Sequence, residues 1–179
     1  VVGPIYPATR DPKVFRFEDH YVMALYADDP DAPNDFLILT SRDRLNWEKT
    51  CRLTVPEATE CPDLFPLEFG SKRLWVYWAA SGAHWIGGFD GARFEPEHWG
   101  KVQGGVHYAA QTYANLPDGR VIQVGWLRAG APGMPFHGML SVPNRLFLKD
   151  SAGVPALCLW PAEEVDSLRG EQRSGGEMR

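Results

Sequence analysis

Short apolar and β-branched runs follow one another along the chain, as in residues 21–26 (YVMALY), 36–41 (FLILTS), 73–78 (RLWVYW) and 120–126 (RVIQVGW). Runs of this length, separated by Gly, Pro, Asn and Asp, predict strands, and no stretch carries the apolar period of an amphipathic helix. The expected class is all-β. The runs also recur as units. A first unit goes from Asp11 through 21–26 and 36–41 and closes near 45–48. A second follows Glu60 through 73–78 and 84–90 and closes near 93–95. A third begins at 107–113, continues through 120–126 and reaches 138–143. Their second strands start at Val22, Leu74 and Val121, separations of 52 and 47 residues. A period of ~50 residues with about four short strands per unit marks propeller blades. Closed propellers hold ~4–8 blades, and this chain has room for three. A partial propeller is expected, its open faces met by missing N-terminal blades or by self-association.

Composition narrows the partners. The 179 residues are 44% hydrophobic, with 23 acidic against 18 basic side chains and a net charge of −5. That is a globular composition and argues against nucleic acid as a partner. No apolar run is long enough to span a membrane, so no membrane partner is expected. The opening Val1-Val2-Gly3-Pro4 looks like neither a signal peptide nor a start methionine, so the sequence is expected to be part of a longer chain. Cys51, Cys61 and Cys158 are odd in number and far apart, which argues against a disulfide framework or a zinc site. With the histidines scattered as well, no metal and no cofactor are expected.

The chemistry sits ahead of the first strand of each unit. Glu60, in Glu60-Cys61-Pro62-Asp63, is set against Cys61, Pro62, Leu64 and Phe65. Desolvation there is expected to raise its carboxyl pKa and let it carry a proton to donate. Asp11 follows Arg10, and a neighbouring positive charge favours its ionised form. Equivalent places in successive blades would aim Asp11, Glu60 and residues 108–111 at one axis. The same letters also fit plain turns, a loop Glu before Pro-Asp and an Asp paired with its neighbouring Arg. Most of the seven tryptophans are expected to pack in the core, and at least one of Trp75 and Trp78, of opposite parity on one strand, is expected to face a sheet interface. Cys61 is expected to line the pocket and tune Glu60, because no histidine follows that would make it a nucleophile.

Taken together, Arg10-Asp11-Pro12, Glu60-Cys61-Pro62-Asp63, the 108–113 stretch (YAAQTY), Gly119-Arg120, Gly125-Trp126 and the segment from Pro135 to Pro143 resemble glycoside hydrolase family 32, the β-fructofuranosidases. The resemblance runs from about Arg10 to Arg169, with the motifs in family order. It implies a five-bladed propeller of which about the last three blades are present, at residues 1–160. Residues 161–179 would lead towards a β-sandwich that is absent, ending in a frayed tail. It implies retaining hydrolysis of a fructosyl bond in a fructan or sucrose-type carbohydrate. Glu60 matches the acid/base, Asp11 the acid that binds fructosyl hydroxyls and stabilises the transition state, and Arg10, Cys61 and Trp126 line the sugar pocket. The family's nucleophile Asp, in a W-M-N-D-P-N-G motif, has no counterpart here, so the chain alone is expected to be inactive. Ala58, Thr59, Val106 and Gly130 depart from the family pattern. Two other readings stay open, a non-catalytic fructan-binding propeller and an inverting glycosidase of a related five-bladed family.

Overall fold

A computed structural model describes residues 5, 6, 9–32, 34–102, 107–130 and 132–170. The expectations for residues 1–4, Val106 and 171–179 lie outside the described residues. Three antiparallel sheets follow one another along the chain. The first is β1 (Arg10–Phe17), β2 (His20–Tyr26), β3 (Asp35–Ser41) and β4 (Glu48–Thr54), and the second β5 (Asp63–Phe69), β6 (Lys72–Trp78), β7 (Ala83–Phe89) and β8 (Phe94–Lys101). Each is a simple meander in chain order. The strands expected from sequence are present, but β4 and β8 extend well past the expected ends of their units. They are the outer edges, with mostly exposed polar sequences (EKTCRLT and FEPEHWGK), so they carry no apolar run to betray them. Pro66 lies within β5, an edge strand that tolerates a missing N–H.

The third sheet, β9 (His107–Thr112), β10 (Val121–Gly130), β11 (His137–Leu140), β12 (Asn144–Ser151) and β13 (Val154–Pro161), is built differently. β10 pairs with β9 along one edge, while β11 and β12 lie end to end along its other edge, Leu140 opposite Trp126 and Leu146 opposite Val121. Ser141 spans the break between them. Its N–H donates to the Gly125 carbonyl at 2.8 Å and its Oγ accepts the Gly125 N–H at 3.0 Å. A 3₁₀ helix, Glu163–Leu168, follows β13 and is tied back by Arg120 to Glu164.

The alternation along each strand sorts its side chains between two interfaces. Val22, Tyr26, Phe36 and Ile38 of the first sheet pack with Leu64, Tyr77 and Phe94 of the second. Phe65, Val76, Trp78 and Ile86, on the second sheet's other face, pack with Ala110 and Leu146 of the third. Trp75 and Trp78 thus serve opposite interfaces, as their parity requires. The expected bare ends are found on one side only. On the outer face of the first sheet, Met23, Leu25, Leu37 and Leu39 are buried, with Ile5, Tyr6 and Trp47 against them. The outer face of the third sheet is open, with Trp126 46%, Leu140 73% and Trp160 70% exposed.

Gly125 is where the third sheet has no room for a side chain. A Cβ there would stand 1.9 Å from Nε2 of His107, the first residue of β9. Gly125→Ala is therefore expected to destabilise the fold by ~1–3 kcal/mol through overpacking, and His107→Ala in the same background should recover part of the loss. Chemical denaturation of the two variants measures both effects.

Candidate active site

Three first strands place the polar motifs. In β1 the register slips between Arg10 and Lys13, which oppose Tyr26 and Ala24, so one extra residue bulges at the strand's start. Asp11 sits in that bulge with φ 60°, inside the strand and not ahead of it as expected from sequence. A bulge re-aims the side chain it carries. Glu60 and Cys61 precede β5 with φ 48° and 46°, and Ala109 in β9 has φ 50°. Left-handed backbone at non-glycine residues is costly and gathers at functional sites. The Ala80 N–H donates to the Glu60 carbonyl at 3.1 Å, and the Ala80 carbonyl accepts from Ala109 N–H at 3.0 Å.

These turns bring four of the five expected site residues into contact. Arg10 Nη2 donates to Glu60 Oε2 at 3.2 Å, and its Nε lies 3.7 Å from Asp11 Oδ2. The Cys61 N–H donates to the same Asp11 oxygen at 3.0 Å and the Cys61 thiol reaches it at 3.5 Å. Trp126 is the fifth. It stands edge-on to Tyr108, ring centroids 6.4 Å apart, on the rim of the same cluster. The sequence aimed residues 108–111 at this place without giving Tyr108 a role; its hydroxyl donates to Glu60 Oε1, and Arg128, which the sequence did not single out, sets its guanidinium 4.0 Å from the Tyr108 ring centre. The spacing was a usable signal for Tyr108, which stands 48 residues after Glu60, one blade repeat on.

The charge state of Glu60 is the reverse of the sequence expectation. The Tyr108 hydroxyl and the Arg10 guanidinium outweigh burial and hold its carboxyl below the usual value. Sequence placed Arg10 beside Asp11, whereas in space its shorter contact is with Glu60. Burial and the Asp11 carboxylate push the Cys61 thiol up to about 12. A thiol at that value is protonated near neutrality and is no nucleophile.

Beneath the cluster lies a second contact set. Asp63, fully buried, accepts from Lys13 Nζ at 3.4 Å, from Thr112 N–H at 2.6 Å and from its neighbour Leu64 N–H at 2.9 Å. Burial raises its carboxyl above the usual value, and Lys13 and Thr112 offset only part of that rise. Donors face both oxygens, so a proton on either would meet another proton. That favours the ionised form. A cavity of about 540 Å³ opens beyond this link, along the parts of β1 and β5 that lead away from Asp11 and Glu60. Phe15, Tyr21, Arg44, Trp75 and Arg120 line it together with other residues that include no carboxylate. Among the described residues no group of three or more His, Cys, Asp or Glu is placed to hold a metal.

Residues 4–161 match the glycosyl hydrolases family 32 N-terminal domain. The chain belongs to glycosyl hydrolase family 32. Among family 32 relatives, a levanase of Bacillus sp. (strain L7) is 30% identical over 194 residues, covering 89% of this chain and 20% of the levanase. A sucrose-6-phosphate hydrolase of Salmonella typhimurium is 29% identical over 157 residues, covering 70% of this chain and 33% of the relative. The exo-inulinase of Aspergillus awamori superposes with a TM-score of 0.76 at 22% identity, over 92% of this chain and 40% of that one. A fructofuranosidase of Schwanniomyces occidentalis gives 0.71 at 23% identity, over 84% and 34%. The chain thus spans well under half the length of these family 32 proteins. Its sheets are blades of the family's five-bladed propeller.

Tyr108→Phe is expected to move the titration of Glu60 up towards an ordinary carboxylate, because the hydroxyl is the first cause of its depression. A carboxyl depressed in the folded state contributes stability above its unfolded pKa and loses it as pH falls through its folded value. The variant should therefore lose part of the acid-sensitive stability of the parent. Carboxyl ¹³C NMR across a pH series reads the midpoint directly, and an unchanged Glu60 midpoint would remove Tyr108 from this role.

Proposed function

We propose that this chain contributes the acid/base side of a retaining glycosidase active site that cleaves β-fructofuranosidic bonds in fructan or sucrose-type carbohydrate. The observation that carries the reading is the convergence of Asp11, Glu60 and Tyr108, from three successive blades, around Arg10 and Cys61. Retaining cleavage needs one carboxylate to attack and another to protonate the leaving oxygen, at ~5–5.5 Å separation. Glu60 takes the second role. It gives a proton to the glycosidic oxygen as the bond breaks, then takes one from the water that releases the fructosyl group. Asp11 holds hydroxyls of the fructosyl ring and steadies the charge that develops on it. Arg10, Cys61 and Trp126 line the sugar site.

Glu60 is ionised and paired in the free cluster, and substrate changes that setting. A sugar ring seated between Arg10 and Asp11 draws the guanidinium to its hydroxyls and removes water from Glu60, and both changes raise the carboxyl. The attacking carboxylate, which in the family lies in a W-M-N-D-P-N-G motif, has no counterpart in residues 1–179. We assign it to sequence outside them, and these residues alone do not turn over. Residues 1–160 are read as propeller and 161–179 as the link onward.

In the full-length protein, Glu60→Gln is expected to cut hydrolysis of ordinary fructosides by ~10²–10⁴-fold, while sparing the bond-breaking step for substrates whose leaving group needs no proton. Asp11→Asn should slow both kinds of substrate, because the fructosyl ring is common to them. Pre-steady-state rates on the two substrate types separate the roles. Equal slowing of both by Glu60→Gln would move the acid to another carboxylate, and a parent that binds fructan without cleaving it would favour the binding-module reading.

A further inference from the structure

The three elements that carry the candidate site share a pattern that the acid/base reading does not use. Each has a non-glycine residue in left-handed backbone, at Asp11, Cys61 and Ala109. Two or three positions further on, each carries one member of a single buried contact set. Lys13 follows Asp11, Asp63 follows Cys61 and Thr112 follows Ala109. The members are one blade repeat apart, 50 residues from Lys13 to Asp63 and 49 from Asp63 to Thr112.

The set is closed. Asp63 has no exposed surface and the Lys13 side chain is only 15% exposed. The Lys13 ammonium has three protons, and it meets Asp63 at 3.2 Å, the Thr112 carbonyl at 2.7 Å and the Thr112 hydroxyl at 3.1 Å. The carboxylate in turn accepts the Thr112 N–H. Every partner sits on the first strand of a different blade, so the contacts fix those strands relative to one another. Packing alone would not require charge. An apolar trio of similar volume serves a core as well or better, but it leaves strands free to slide, whereas hydrogen bonds to a planar carboxylate set distance and direction.

We infer that Lys13, Asp63 and Thr112 form an inter-blade clamp that aims Asp11, Glu60 and Tyr108 at one cleft, with Asp63 as its central positioning residue. The clamp lies immediately behind the three left-handed turns and supplies the restraint that keeps them from relaxing to ordinary strand. Gln111 extends it, donating to the Cys61 and Pro62 carbonyls at 3.2 Å each. The inference rests on the reaction proposed above for its effect on rate, but not for its effect on geometry.

The test uses the full-length protein with Lys13→Met and Asp63→Asn combined, which removes both charges and keeps an acceptor for Thr112. Three readouts are melting temperature, kcat and KM on a fructoside, and the rate at which iodoacetamide labels Cys61, with Cys51 and Cys158 as references in peptide mass spectra. Asp63→Asn alone should melt early, because it leaves the Lys13 charge buried without a counter-ion. The double variant should recover most of that melting temperature, yet lose ~10²-fold in kcat, more than KM rises. Cys61 labelling should rise at least ~tenfold as Asp11 leaves the thiol. Recovered stability together with parental kcat and parental Cys61 labelling would reduce the clamp to a packing feature and overturn the inference. Thr112→Val, which deletes one acceptor and keeps both charges, should move kcat and labelling the same way by ~threefold. No movement in either would also overturn it, even if the double variant fails to fold. A parent that cleaves no fructoside defeats the proposed reaction, while Cys61 labelling still decides the clamp.

Discussion

A carboxylate has been taken out of water at the junction of three sheets and paired with a largely covered ammonium, and the rest of the molecule is arranged so that this is tolerable. Removing an ion from water costs several kcal/mol even after relaxation. Asp63 offsets that cost by receiving Lys13, Thr112 N–H and Leu64 N–H, and Lys13 by directing its protons to Asp63 and both oxygens of Thr112. The partners come from β1, β5 and β9, so the compensation exists only when the three blades stand in one relative position. Packing of Phe65, Val76 and Trp78 against Leu146, or of Phe36 against Tyr77, holds the sheets together but tolerates small slides. The buried pair does not.

The site above it follows from the same geometry. Each first strand starts with a bulge or turn that a strand would not adopt unaided, and the side chains so released meet around Arg10. Their electrostatics are therefore collective. Glu60 is held low by a hydroxyl from the third blade and a guanidinium from the first, and the Cys61 thiol is held high by burial and by a carboxylate from the first. No one blade contains the cause of either shift.

The two ends of the three-sheet stack differ, and the difference is physical. The outer face of the first sheet is closed by Ile5, Tyr6 and Trp47, and on that sheet Arg52 ties Asp29 and Asp35 together. The outer face of the third sheet keeps Trp126, Leu140 and Trp160 in solvent. In a family whose propeller has five blades, sheets pack face to face around the ring, and the open face here carries Trp126, which stands edge-on to Tyr108.

The all-β class, the three repeating units and the meeting of the polar motifs were legible in the sequence. Alternating apolar runs bury one face each as strands, and a repeat of ~50 residues with about four short strands per unit points to blades. The motifs at Arg10–Asp11 and Glu60–Cys61 lie at equivalent points of that repeat, so their meeting was legible from the spacing alone. The outer strands β4 and β8 were not, since a solvated edge leaves no apolar pattern to read, and neither was the broken edge shared by β11 and β12, which Ser141 makes possible. Tertiary structure alone decided the charge of Glu60. Sequence shows its neighbours along the chain, which argued for desolvation and a raised pKa. The groups that lower it, Tyr108 and Arg10, are 48 and 50 residues away and reach it only across blades. Electrostatic interaction falls with distance through space, and in a propeller the shortest distances at the axis join residues a whole repeat apart.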